Sequence, residues 1–330
     1  MSFINDEIIV ALSNLRKEKP LVHCITNYVT ANDCANIILA IGGAPTMADA
    51  IEEVDDIESQ ASALVLNIGI LSYDIIETMI EAGRAANRFG IPVVLDPVGV
   101  HSSSFRKSAA LKILKKVNVT AIRGNLAEIK SLCGMKIISS GVDSIENDEQ
   151  SEIKKVIDKV SKKYNAIVAV SGEIDYITDG ERVVSISNGN SIMAKVTGTG
   201  CMSSALVGAF IGSYDDYFIA VVSAVAVMGI SGEIALENLK ESEGSGTYKS
   251  RLIDAVYNIK PSHIQTKGNI YENWLYIIFS NRFRTTKRQK TWDDSLSGCQ
   301  GWSFFSTAKG KKGWFIRLLH GSQKSKGSNW

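Results

Sequence analysis

The chain has 330 residues, 45% of them hydrophobic and 22% charged, with a net charge of +1. That is enough for one large α/β domain or two small ones, and it offers no electrostatic case for binding nucleic acid or a membrane surface. The five cysteines (Cys24, Cys34, Cys133, Cys201 and Cys299) form no Cys-x-x-Cys pair and accompany no histidine cluster, which argues against a disulfide framework or a zinc site.

Met1 to Glu7 lacks the basic start of a secretory signal. The longest apolar run, near 219–230, is broken by Ser223 and Gly229 and reads as too short to cross a bilayer. A cytoplasmic enzyme is the expectation. Composition changes late in the chain. All five tryptophans lie after residue 270, and residues 271–330 hold 11 Lys or Arg against 3 Asp or Glu, a net of +8 that leaves −7 on the first 270 residues. The expected partition is a folded body over 1–265 and a basic, Trp-containing, disordered tail over 266–330.

Residues 5–17 read as an amphipathic helix, with Ile8, Ile9, Leu12 and Leu15 on one side. Pro20 to Ile25 reads as a short buried strand, and Thr26 to Asp33 as the turn into a helix ending near Ala40. The amides and hydroxyls of that turn, Asn27 among them, suit either helix caps and Asx turns or a small polar ring. Gly42 to Met47 is a turn and short strand, followed by an acidic segment from Asp49 to Asp56. Further strands are expected at 63–69, 92–99, 119–125 and 166–170, with helices over 75–88 and 105–116 and another carrying Glu128. A turn over 171–175 leads to a strand pair, 176–177 and 183–187, and two helices follow at about 201–212 and 216–236.

The strands are nearly continuous apolar runs separated by helices, which is the pattern of a parallel sheet covered on both faces. Polar residues recur where strands end: Asn67, Asp96, Arg123 with Asn125, and Ser171 with Asp175. Ligands of open α/β sheets bind at the C-terminal ends of strands, so these groups are expected on one edge. Val196-Thr197-Gly198-Thr199-Gly200-Cys201 belongs there too, as a glycine-rich turn whose N–H groups, with the following helix dipole, suit an anion.

Each of these groups has more than one reading. Asp96 and Glu128 can hold Mg²⁺, or act as a turn cap and a first-turn helix acid. Arg123 can clamp an anion or make a surface salt bridge. Cys201, at a helix start, is expected to have a lowered pKa, as a nucleophile, a base or a small core residue. None of the four histidines sits in a motif that would make it the cysteine's base. An anion turn, two acids and an arginine favour phosphoryl transfer, without a Walker or protein-kinase motif.

The set resembles the hydroxyethylthiazole kinase family of the ribokinase-like superfamily. The resemblance rests on Pro20-Leu21-Val22-His23-Cys24-Ile25-Thr26-Asn27, Gly43-Ala44-Pro45-Thr46-Met47-Ala48, Leu95-Asp96-Pro97-Val98-Gly99, Arg123-Gly124-Asn125-x-x-Glu128, Val170-Ser171-Gly172-Glu173-x-Asp175 and Thr197-Gly198-Thr199-Gly200-Cys201, in order over residues 1 to about 262. It implies a three-layer α/β/α fold with a mostly parallel sheet. It also implies a homotrimer with active sites between subunits, and ATP-dependent phosphorylation of 4-methyl-5-(2-hydroxyethyl)thiazole, a thiamine salvage step. By the same resemblance Met47 and Gly198 contact the thiazole, with Asn27 near it. Arg123 and Ser171 contact ATP, and Asp96 and Glu128 serve Mg²⁺. Gly198, Thr199, Gly200 and Cys201 form the anion hole, with Cys201 where the superfamily usually has Asp. The family often has Thr at the Ser171 position, which keeps the hydroxyl. The competing readings are a hydroxymethylpyrimidine or pyridoxal kinase of the same fold, and an inactive thiazole-binding trimer.

In the tail, Trp274-Leu275-Tyr276-Ile277-Ile278-Phe279-Ser280-Asn281-Arg282 resembles the first strand of the thiamine-phosphate synthase family. A one-base shift with permitted codons turns Gly298 to Lys309 into a sequence resembling that family's Gly-Gly-Val-x-x-x-Gln-Leu-Arg segment. An ordinary disordered basic tail and a nucleic-acid-binding segment using Trp and Lys are the competing readings, and the favoured expectation is an out-of-frame synthase remnant that neither folds nor catalyses.

Overall fold

The structure is a computed structural model that describes residues 3–134 and 146–272, all within one compact unit. The expected tail features, from Trp274 onward, lie outside the described residues.

Six strands form the parallel part of the sheet: β1 (Leu21–Ile25), β2 (Ala44–Thr46), β3 (Ala63–Asn67), β4 (Val93–Asp96), β5 (Ala121–Asn125) and β6 (Ile167–Ser171). Three antiparallel strands extend it: β7 (Asp175–Thr178), β8 (Val183–Ile186) and β9 (Ile270–Glu272). The order is β2-β1-β3-β4-β5-β6-β7-β8-β9. The chain places β2 on one side of β1 and then steps steadily to the other side from β3 onward, and because β1 to β6 pair in parallel their C-terminal ends share an edge. Register sets Asn67 beside Asp96 and Asn125 beside Ser171.

The strands bury both faces, and alternate residues enter different cores. Val22, Cys24, Val65, Val94 and Ala169 face a core built with α1 (Phe3–Glu18), α2 (Ala31–Ile41), α8 (Thr199–Ile211), α9 (Tyr217–Glu237) and α10 (Ser245–Tyr257). Leu64, Leu66, Leu95, Ile122 and Val168 face the other, with α4 (Tyr73–Phe89), α5 (Ser104–Lys116), α6 (Leu126–Leu132) and α7 (Glu146–Tyr164). The short α3 (Val54–Glu58) joins this second layer through Val54. This is the expected three-layer α/β/α arrangement.

Local chemistry sets the helix ends. The Ser72 and Ser103 hydroxyls accept from the Ile75 and Arg106 amides at the starts of α4 and α5. The Asp216 carboxylate accepts from the Phe218 and Ile219 amides at the start of α9.

Two expectations need correction. The apolar run near 219–230 lies in a 21-residue helix, α9, which is long and apolar enough to cross a membrane. Its most apolar window is 83% buried inside the protein, so it serves as a core helix. The body also extends past 265. That boundary falls inside α11 (Pro261–Lys267), and the chain then adds β9 to the sheet against β8. Neither α7, α10, α11 nor β9 is anticipated by the sequence reading.

Helix α8 lies close to the sheet. A Cβ placed on Gly208 would sit 2.4 Å from Val65 Cγ2 and 3.0 Å from Val22 Cγ1. Gly208→Ala should therefore destabilise the protein by about 1–3 kcal/mol through overpacking, despite alanine's better helix propensity. Urea unfolding with an unchanged m-value checks this, and a gain in stability would show that the contact relaxes.

Candidate active site

Five strand ends and the start of α8 build the site. Asp96 closes β4 and is 1% exposed. Asn67, beside it in register, donates Nδ2 to Asp96 Oδ2 at 2.9 Å, and Ser204 of α8 donates its hydroxyl to the same oxygen at 2.8 Å. Burial pushes the Asp96 carboxyl up to about 6. Arg123 offsets this, Glu128 adds to it, and the Ser204 and Asn67 hydrogen bonds pull it back down.

The sequence reading leaves Asn67 without a role. It appears there only as a strand-end polar group, in an Asn-x-Gly sequence. Its Oδ1 accepts from the Gly69 amide at 2.9 Å and from Asn27 Nδ2 at 3.0 Å. Its Nδ2 also points to Cys201 Sγ at 3.2 Å, and Asn27 Nδ2 lies 3.6 Å from the same sulfur. The Gly69 amide can only donate, and an ionised Asp96 can only accept, so the Asn67 amide has one orientation. Asn27, Asn67, Asp96 and Cys201 thus form one network.

The expected lowering of the Cys201 pKa is corrected. Burial and the Asp96 carboxylate push this thiol above its ordinary value, and the nearby Asn67 and Asn27 amides offset that only in part. A helix start favours a thiolate where it is solvated, and this one faces a buried carboxylate.

Gly198 caps α8 with φ +91°, in the left-handed region, and a Cβ there would meet Thr30 Cγ2 at 2.7 Å. The first intrahelical bond runs from the Met202 amide to the Gly198 carbonyl. Helix geometry leaves the N–H groups of Thr199, Gly200 and Cys201 without intrahelical acceptors. The Thr199 hydroxyl is occupied by the Met193 and Val196 carbonyls, at 3.1 and 3.3 Å, which fixes the turn.

Beside this turn lies a cavity of about 780 Å³, reached by Arg123, Ser171, Asn188, Met193, Gly200 and Met228. A Cβ on Gly200 would be 2.8 Å from Arg123 Nη1, so the guanidinium lies against the anion turn. Arg123 makes no ion pair within 4 Å among the described residues, which excludes the surface salt bridge. Ser171 Oγ is 3.5 Å from the Gly124 carbonyl, at the limit of a hydrogen bond. Asp175, not assigned from sequence, accepts from the Gly172 amide at 2.9 Å, and burial pushes its carboxyl up to about 6.

Glu128 fills the role of first-turn helix acid. Its Oε2 accepts from the Asn125 amide at 2.8 Å while Asn125 Oδ1 accepts from the Glu128 amide at 2.9 Å, a capping box. Its Oε1 accepts from the Gly99 amide at 2.9 Å, tying the loop after β4 to α6. Arg106 fastens the same loops from α5. It donates to the carbonyls of Ile68 (2.5 Å), Val98 (3.2 Å) and Gly69 (2.8 Å). Met47 is half-buried just past β2, and it does not line the cavity.

The arrangement places three unpaired N–H groups between a cation-lined cavity and a buried polar network. That suits a transferring anionic group, with a donor on one side and an acceptor on the other. Comparisons with known proteins agree. The hydroxyethylthiazole kinase family model matches residues 12–262. The chain is 49% identical over 270 residues to a hydroxyethylthiazole kinase of Clostridium botulinum, covering 81% of this chain and 97% of that one. A solved hydroxyethylthiazole kinase from Pyrococcus horikoshii OT3 superposes with a TM-score of 0.74 at 38% identity, covering 81% and 99%. A pyridoxal kinase from Staphylococcus aureus shares the fold, with a TM-score of 0.52 at 16% identity over 77% and 99%. The matched family spans the whole site, from Asn27 to Cys201, and this chain belongs to the hydroxyethylthiazole kinase family.

Proposed function

We propose that this protein transfers the γ-phosphoryl group of ATP to the hydroxyl of 4-methyl-5-(2-hydroxyethyl)thiazole, giving the thiazole phosphate and ADP in thiamine biosynthesis and salvage. The observation that carries this is the anion turn at Gly198–Cys201, with the Arg123 cavity on one side and the Cys201 network on the other.

ATP occupies the cavity, with Arg123 and the Ser171 hydroxyl on its phosphates. The Thr199, Gly200 and Cys201 amides receive the charge that builds on the transferring group. The thiazole lies on the far side, against Met47, Gly198 and Asn27. Its hydroxyl oxygen forms the new P–O bond as the bond to the ADP oxygen breaks, and the alcohol's proton passes late to an oxygen of the transferred phosphoryl group. A loose transition state asks little of a base. With its pKa raised, Cys201 rests as a thiol and orients the hydroxyl.

The residues present fit Mg²⁺. Glu128 is close enough to push the Asp96 carboxyl up, and both donors to Asp96 address Oδ2, leaving Oδ1 for a cation. Among the described residues no cluster of three or more His, Cys, Asp or Glu forms a closed cage. That suits a largely hydrated ion completed by phosphate oxygens. Asp96 and Glu128 would hold it, directly or through water, and when bound it neutralises phosphate charge.

The reading includes a cytoplasmic homotrimer with sites between subunits. Tyr28 and Val29, next to Asn27, are 82% and 57% exposed in the single chain, and Met47 lies off the cavity wall. A neighbouring subunit would cover the first two and complete the thiazole pocket.

ATP consumption with Mg²⁺ should be selective for hydroxyethylthiazole over hydroxymethylpyrimidine and pyridoxal. No turnover with any of the three would leave the binding-trimer reading in front. Cys201→Ala should slow turnover by about 10- to 100-fold without abolishing it, since the amides remain. Cys201→Asp should retain activity; complete loss with Ala and no rescue by Asp would show a covalent role.

Asp96 supplies a pH test. Its folded carboxyl holds a proton up to about 6 against an ordinary 3.8, so the native state binds more protons between those values. Its contribution favours folding below about pH 4 and is lost as pH rises through about 6. Asp96→Asn should therefore raise metal-free stability at pH 8 by on the order of 2 kcal/mol and flatten the pH 4–6 slope. Turnover should fall at least about 100-fold. Chemical unfolding in chelator, with steady-state kinetics, checks both.

A further inference from the structure

The most deeply buried ion pair among the described residues takes no part in this chemistry. His23, on β1, and Glu58, the last residue of α3, are both 0% exposed, with Nδ1 and Oε1 2.6 Å apart. The other ring nitrogen, Nε2, lies 2.7 Å from the main-chain carbonyl of Ala48. A carbonyl only accepts, so Nε2 carries a hydrogen and donates it. A ring with that hydrogen alone would turn a bare Nδ1 lone pair toward a carboxylate. The 2.6 Å contact therefore holds a second proton between Nδ1 and Oε1. The imidazole is held at both ends and cannot rotate.

Burying such a pair is costly, and swapping it for apolar residues of similar volume is often neutral or stabilising. Glu58 Oε2 is buried with no hydrogen-bond partner, so the ring alone answers the carboxylate. What the pair fixes is a place in the chain. Register pairs His23 with Thr46, the last residue of β2, and pairing ends there. Met47 comes next, then Ala48 with its carbonyl on His23, and the backbone over 47–50 is irregular.

We propose that His23 is a positioning residue for the alcohol substrate: with its ring locked by Glu58, it pins the Ala48 carbonyl and thereby sets where the Met47 side chain meets the thiazole. This rests on the reading that Met47 contacts the thiazole. The ring touches neither substrate. It acts through one peptide unit, and it acts on the acceptor side of the site alone.

The test is steady-state kinetics of the full chain with Mg²⁺-ATP and hydroxyethylthiazole, alongside thermal melts. His23→Phe keeps the ring and removes both nitrogens. It should raise the KM for the thiazole about tenfold and leave the KM for ATP within twofold. Glu58→Leu should raise the thiazole KM about three- to fivefold. Glu58→Gln should restore it, because the Gln amide can donate to Nδ1 and leave a hydrogen on Nε2 for Ala48. The Glu58 pair carries the test alone if His23→Phe does not fold. Met47→Ala should raise the thiazole KM, and His23→Phe should add nothing in that background.

A parallel rise in both KM values would overturn the proposal, as would Glu58→Gln behaving like Glu58→Leu. So would multiplicative effects of His23→Phe and Met47→Ala. An unchanged thiazole KM in Met47→Ala would instead remove the Met47 assignment, and this inference with it. Failure of the activity itself would show earlier, as absence of turnover in the unaltered protein.

Discussion

A carboxylate removed from water has to be satisfied by its neighbours, and Asp96 at the centre of the sheet edge is the point from which the rest of the site follows. Its Oδ2 takes hydrogen bonds from two different layers of the fold: Asn67 from the adjacent strand and Ser204 from α8. To supply them, β3 and β4 must end level and α8 must lie close on the sheet. The close approach is what Gly208 permits against Val65 and Val22. The same approach puts the start of α8, with its unpaired amides and Cys201, beside the strand ends. One desolvated charge thus dictates a register, a helix packing distance and the placement of the anion turn.

Both carboxyls with clear upward shifts in and beside the cavity, Asp96 and Asp175, are shifted first by burial. Arg123 offsets both, and is the shared cation between them. The protein therefore carries a local excess of buried negative character beside a turn whose amides suit an anion. Such an arrangement is unfavourable in isolation, and it is the usual signature of a site whose charge balance closes only when its ligands are present.

Much of this was legible in the residues. Runs such as Ala63-Leu64-Val65-Leu66-Asn67 have no polar face, so they had to be buried on both sides, and the polar residues at their ends had to meet on one edge. Other parts were not. Residues 146–164 are polar, and α10 and α11 bury few residues each, so they lack the long apolar run that announces α9. β9 is three residues long and gains its meaning only from β8, which is remote in sequence. The Cys201 thiol was misjudged because a helix start is visible in sequence while the burial of its surroundings is not. Asn67 was visible as a strand-end amide, but its role depends on four partners drawn from Asn27, Gly69, Asp96 and Cys201. His23 and Glu58 lie 35 residues apart, on elements whose contact no local pattern announces.

The Arg106 guanidinium has a consequence of its own. It grips three carbonyls on the loops that follow β3 and β4. Those loops adjoin Asn67 and Asp96, and the Glu128 capping box secures the next turn of chain. The polar frame of the site is thus braced by hydrogen bonds within the protein itself. Binding then has little protein motion to freeze, and the entropic cost of assembling the complex falls mainly on the small molecules themselves.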